Sequence, residues 1–141
     1  LPDTEALLSF IDVAVVSERF CEQLKLPPEA TLDILRAKGC KVGAVTLGER
    51  GIVWYGEDKQ TRAMAALAVP ANDIVDTNGA GDVFHGAYIY SYLARPMLSW
   101  EEHFRFARGA SAHAIRFLGN EARLPSLADV AASIARYAPA A

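Results

Sequence analysis

Seven consecutive residues, Asp76-Thr77-Asn78-Gly79-Ala80-Gly81-Asp82, have the types and spacing that could do chemistry. They follow the apolar pair Ile74-Val75 and precede an apolar run from Val83 to Leu93 that reads as a helix. Two glycines and an alanine let the backbone turn tightly and approach a ligand. Their N–H groups stand where a helix starts, and the first four donors of a helix lack intrahelical partners. Such an end attracts anions through those donors and through the helix dipole. A phosphate oxygen is the natural guest. Asp82 brings negative charge to this anion site, which makes sense if it faces a hydroxyl group that attacks the phosphate. Phosphoryl transfer passes through a loose transition state, so catalysis is mostly positioning and charge stabilisation. Backbone donors at Gly79, Ala80 and Gly81 would hold the charge. Asp82 would orient the alcohol and accept its proton late, which asks little of a weakly basic carboxylate.

The surrounding elements alternate between short β-type runs and helical patterns, which predicts an α/β domain. Asp12 to Val16 is apolar on both faces, as in a strand covered on both sides. A helical stretch follows from Glu18 to Lys25, and Pro27-Pro28 opens another that ends near Gly39. Lys41 to Leu47 reads as a second buried strand, and Gly48-Glu49-Arg50-Gly51 as a turn leading into a strand at Ile52 to Tyr55. Gln60 to Val69 is expected to hold a further strand. The helix from Val83 to Leu93 is apolar nearly all round, which predicts burial. Ser99 and Glu102 form a capping-box pattern opening a helix that is expected to reach Leu118, with Gly119 closing it. Ser126 and Asp129 repeat the pattern for the last helix.

Composition narrows the classes. Of 141 residues, 52% are hydrophobic and 22% charged, which excludes intrinsic disorder. The formal net charge of -3, with no cluster of Lys and Arg, speaks against a dedicated nucleic-acid binder. No stretch approaches the ~20 apolar residues that a bilayer-spanning helix needs. Cys21 and Cys40 lack CxxC spacing and predict buried, reduced thiols. Together these features lead to the expectation of a cytoplasmic protein without membrane or nucleic-acid partners.

The segment DTNGAGDVFHGAYIY (Asp76 to Tyr90) resembles the C-terminal signature of the ribokinase-like (PfkB) carbohydrate kinases, D-T-x-G-A-G-D-x-F. VTLGERG (Val45 to Gly51) is similar to the family's T-L-G-x-x-G turn, and Phe106 to Pro125 to its C-terminal helix and following loop. The resemblance spans about residues 10 to 137. It implies a three-layer α/β/α ribokinase-like (Rossmann-like) fold with a mostly parallel sheet, of which this chain is the C-terminal portion. It implies ATP-dependent phosphorylation of a sugar or sugar-like alcohol, with ATP and Mg²⁺ as cofactors and a small-molecule sugar as substrate. Asp82 would be the catalytic base, and Gly79, Ala80 and Gly81 the anion hole. Thr46, Gly48, Gly51, Asn78 and Arg108 would contact the nucleotide. A monovalent cation such as K⁺ would lie near Asp76, Asn78, Ala114, Phe117 and Gly119, several acting through backbone carbonyls.

One departure stands out. Where the family carries N-x-x-E to organise Mg²⁺, this sequence has Ser17-Glu18-Arg19-Phe20, leaving Glu18 as the candidate substitute. The departure keeps open a catalytically silent, nucleotide-binding or regulatory relative. A dinucleotide-binding oxidoreductase is a poorer reading, because Phe84 occupies the third glycine position of G-x-G-x-x-G. His85, His103 and His113 lack the i, i+4 spacing of a metal pair and are expected to pack or be solvated, although His85 adjoins the turn. Phe84, Tyr88 and Tyr92 are expected in the core. The length suggests the nucleotide-and-base half of a kinase of roughly twice this size, whose substrate and lid part precedes Leu1. An exposed edge and apolar face would then favour self-association into a homo-oligomer.

Overall fold

The computed structural model describes residues 6–119 and 124–139, so the helix-like opening at 2–5 and the loop at 120–123 lie outside the described residues. The chain divides into two compact units, residues 1–65 and 66–141.

The first unit is a four-stranded sheet with helices. β1 (Val13–Ser17) is followed by α1 (Glu18–Leu24) and α2 (Pro28–Ala37), then β2 (Val42–Thr46), β3 (Ile52–Tyr55) and β4 (Thr61–Met64). Spatial order follows chain order. β1 and β2 are parallel, with Val13 beside Val42 and Ser17 beside Thr46. β2–β3 and β3–β4 are antiparallel. The α/β expectation holds, but the described sheet is mixed rather than mostly parallel. The reason is local: the short turn at Gly48–Arg50 sends β3 straight back along β2 as a hairpin. Pro28 occupies the first turn of α2, where a missing N–H costs nothing. Leu32 and Leu35 of α2 pack with Cys21, Cys40, Val45 and Tyr55 in the core, so both thiols are buried and free as expected. Gly43 faces Tyr55 across the β2–β3 pair, and a Cβ there would collide with the tyrosine ring. The ring occupies the space that the glycine leaves open.

The second unit is helical: α3 (Ala80–Ala94), α4 (Trp100–Ala114) and α5 (Leu127–Arg136). Both predicted capping boxes form. Ser99 accepts from the Glu102 N–H and Ser126 from the Asp129 N–H, and each carboxylate reaches back to the cap. Phe84, Tyr88, Trp100 and Phe104 cluster between α3 and α4, with Phe84 and Phe104 stacked 6.0 Å apart. Gly109 of α4 lets α5 approach, because a Cβ there would meet Ile134 at 2.6 Å. The ends of the unit meet where the Ala68 N–H donates to the Ala138 carbonyl.

Two expectations are corrected here. α3 is not buried all round: Ile89, Tyr90, Tyr92 and Leu93 are exposed, Leu93 to 72%. A helix without a polar face still buries only the side that meets neighbours, here Val83, Phe84 and Tyr88. α4 ends at Ala114 rather than Leu118, and Leu118 is exposed. The Ile115 carbonyl accepts from the N–H groups of Val75 and Asp76 at 2.8 and 3.1 Å instead of continuing the helix.

Candidate active site

The segment from Asp76 to Asp82 is built around the start of α3. Gly79 is the N-cap, in the left-handed conformation (φ 74°) that a side chain resists. The first helical bond runs from the Val83 N–H to the Gly79 carbonyl at 3.0 Å. The Ala80 N–H donates to the Thr77 carbonyl at 3.3 Å, so Ala80 drops out of the expected donor set Gly79, Ala80 and Gly81, while the N–H groups of Gly81 and Asp82 lie ahead of the helical ladder. The glycine cap has no side chain to accept from them. At Gly81 a Cβ would meet nothing within 4 Å. Its absence is not required by neighbours in this chain, whereas it leaves the donors open to an approaching group. Asp82 is exposed in the first turn of the same helix.

Three contacts hold this end in place. The Ser111 hydroxyl on α4 donates to the Ala80 carbonyl at 3.0 Å. The His85 ring lies with Nδ1 2.9 Å from the Gly81 carbonyl, and because a carbonyl only accepts, Nδ1 carries the proton. The Asp76 carboxylate accepts from the Asn78 N–H at 2.9 Å and from the Gly119 N–H at 3.2 Å. Asp76, Asn78 and Gly119 are thus brought together across 43 residues of sequence. Ala114 ends α4 and Phe117 lies in the turn that follows, where the Phe117 N–H donates to the Ala114 carbonyl at 3.1 Å.

Arg108 is half-buried on α4, one helical turn before Ser111. Burial, and then the Arg105 charge, hold its guanidinium below its ordinary value. His103 and His113 are both buried, and the described residues contain no cluster of three or more His, Cys, Asp or Glu able to hold a metal. Tyr92, expected in the core with Phe84 and Tyr88, is instead exposed and stacks on Trp100 at 5.2 Å.

Thr46, Gly48, Gly51 and Glu18 belong to the first unit. Thr46 ends β2, and its hydroxyl donates to the Val16 carbonyl at 3.4 Å. Gly48 (φ 60°) and Gly51 (φ 93°) frame the turn, both in conformations that favour glycine. Glu18 forms an ion pair with Arg50 of that turn. Reading the sequence by motif passes over Ser111, Arg50 and the His85–Gly81 link. Ser111 leaves one trace, as a polar residue in the otherwise apolar stripe Phe104, Ala107, Ala114, where a half-buried hydroxyl seeks an acceptor.

Comparison with known proteins adds to this geometry. A family model described as pfkB family carbohydrate kinase matches residues 4–126. A ribokinase of Lactococcus lactis is 30% identical over 128 residues, covering 91% of this chain and 40% of that protein. The ribokinase structure from Thermotoga maritima superposes with a TM-score of 0.82 at 24% identity, over 94% of this chain and 45% of that one. Arabidopsis thaliana ribokinase complexed with ribose and ATP superposes with a TM-score of 0.79 at 25% identity, over 92% and 43%. The chain spans less than half the length of each.

Proposed function

The chain belongs to the pfkB family of carbohydrate kinases, and from that premise we propose that it supplies the base and nucleotide elements of an ATP-dependent kinase acting on a sugar hydroxyl. The observation that carries this reading is the start of α3. There, open backbone donors at Gly81 and Asp82 and an exposed carboxylate share one helical turn. Anion stabilisation and proton acceptance are the two tasks that phosphoryl transfer to an alcohol sets.

In the proposed reaction the alcohol oxygen forms a bond to the γ-phosphorus as the bond to the β-phosphate oxygen breaks, releasing ADP. The Gly81 and Asp82 N–H groups, assisted by the dipole of α3, hold the charge on the transferred group. The Asp82 carboxylate orients the attacking hydroxyl and takes its proton late. His85 and Ser111 act on the two carbonyls of this turn and fix where the donors point. The Asp76 carboxylate and the carbonyls of Ala114 and Phe117 are oxygen ligands suited to a monovalent cation such as K⁺, and the Asp76–Gly119 bond brings their segments together. Mg²⁺ arrives with ATP, held mainly by phosphate oxygens and water. Thr46, Gly48 and Gly51 are assigned the nucleotide as a separate contribution of the first unit, and Arg108 a contact to its base.

The relatives named ribokinase and deoxyribokinase, and the structure with ribose, favour a sugar as acceptor. The test is γ-phosphate transfer from ATP to a panel of sugars by the complete protein, repeated with Asp82→Ala. Transfer in the wild type and none in the variant supports the reading, and equal rates refute the assigned base. ATP binding without transfer to any sugar would select the silent relative that the altered Ser17–Phe20 segment keeps open.

A further inference from the structure

Glu18 and Arg50 are paired in the first unit, and the pair joins two segments that leave neighbouring strands at the same end. β1 and β2 run parallel with Ser17 beside Thr46, so they finish side by side. Glu18 is the first residue after β1, and Arg50 closes the short turn that follows β2. In open α/β sheets ligands bind outside the carboxyl ends of such strands.

The turn fixes its own shape through backbone bonds. The Leu47 N–H donates to the Gly51 carbonyl at 2.8 Å and the Gly51 N–H to the Gly48 carbonyl at 3.0 Å. The β2–β3 ladder holds both flanks of the turn, with Thr46 beside Ile52. Two side-chain links add a hold on the β1 side: the Thr46 hydroxyl on the Val16 carbonyl, and the Arg50 guanidinium on the Glu18 carboxylate. A carboxylate beside a phosphate site repels its ligand unless its charge is cancelled, and Arg50 cancels it. A guanidinium has five donors in a planar fork that suits phosphate, so a bond to Glu18 leaves others to offer.

Resting on the nucleotide reading of this turn, we propose that Glu18 is a positioning residue. It anchors Arg50, and through it holds the Gly48–Gly51 turn and the guanidinium in the pose that receives the phosphate end of a nucleoside triphosphate. In this role Glu18 acts through Arg50 and is not a ligand of Mg²⁺.

The experiment compares Glu18→Gln, Arg50→Gln and the double variant Glu18→Gln/Arg50→Gln in the complete protein. KM for ATP, kcat at saturating ATP, the Mg²⁺ concentration for half-maximal rate and calorimetric ATP affinity are read for each. Solvent-exposed pairs are worth a fraction of a kcal/mol, so each single variant should raise KM for ATP about two- to fivefold. kcat and the Mg²⁺ dependence should stay near wild type, and the double variant should lose little more than Arg50→Gln alone, because Glu18 acts through Arg50. A shifted Mg²⁺ dependence in Glu18→Gln alone would assign the carboxylate to the metal and overturn the proposal. Additive losses in the double variant would overturn it too. A wild-type protein that binds no ATP sinks the nucleotide reading and the anchor with it. One that binds ATP and is indifferent to both single substitutions sinks the anchor alone.

Discussion

The Ser111 hydroxyl donates to the Ala80 carbonyl at 3.0 Å, tying the first residue of α3 to the last turn of α4. One hydrogen bond thereby sets the height of the anion-facing turn against its neighbour helix. Ser111→Ala should cost about 1 kcal/mol of stability, the net worth of one such bond. The same variant should lower kcat more than it raises KM for ATP, because misaimed donors matter most in the transition state. Denaturant unfolding together with steady-state kinetics checks both.

Asp82→Asn keeps the size and exposure of the side chain and removes the proton acceptor. General bases contribute roughly 10²- to 10⁴-fold. Sugar phosphorylation should fall within that range while calorimetric ATP affinity stays within a few-fold of wild type. A variant that loses ATP binding and turnover equally would reassign Asp82 to the nucleotide.

The two glycines of the turn should respond in opposite ways. At Gly81 the backbone is helical and a Cβ would meet nothing within 4 Å. Gly81→Ala should therefore leave stability unchanged or raise it by about 0.5 kcal/mol, while weakening ATP turnover by crowding the donors. Gly79 sits at φ 74°, where alanine is strained, so Gly79→Ala should lose about 1 kcal/mol or more. Melting curves of the two variants, set beside their activities, separate a glycine kept for a ligand from one kept for the backbone.

Acid should destabilise the second unit through His103. Its ring is buried, with Nδ1 2.9 Å from the Ser91 oxygen, and Arg95 donates to that same oxygen at 3.2 Å. Burial, followed by the Arg95 charge, pushes the His103 pKa down, against a smaller upward pull from Glu102. The native ring is thus neutral. Below about pH 6.5 the unfolded chain binds a proton that the folded one refuses. The stability contribution is complete above that pH and is lost as pH falls toward the lowered native value. Denaturation midpoints measured between about pH 5 and 8 should decline on the acid side. His103→Gln should flatten that decline.

Much of this was written locally in the sequence. The capping boxes at Ser99–Glu102 and Ser126–Asp129, Pro28 at the first turn of α2 and the glycine turn at 48–51 all encode structure within a few residues. What depended on distant partners was not legible. Past Ala114 the backbone tightens, with the Arg116 N–H on the His113 carbonyl and the Phe117 N–H on the Ala114 carbonyl, while Val75 and Asp76 take the Ile115 carbonyl, and nothing in residues 99–118 announces that. Ile89, Tyr90 and Leu93 are apolar, yet composition cannot say which flank of a helix meets neighbours. The site divides the same way. The motif named Asp82 and its glycines, while Ser111, His85 and Arg50 act through folded contacts that no spacing rule encodes.

The exposed flank of α3 also has a mechanical meaning. A helix of 15 residues is a stiff rod about 22 Å long. The donors sit at one end and Leu93 near the other, so whatever rests on Ile89, Tyr90 and Leu93 has a lever on the reaction centre. A tilt of about 5° around the midpoint swings each end by about 1 Å. A displacement of that size costs a catalytic site on the order of a hundredfold in rate. On the proposed reading, a contact on this flank would change turnover without touching Asp82 or the backbone donors.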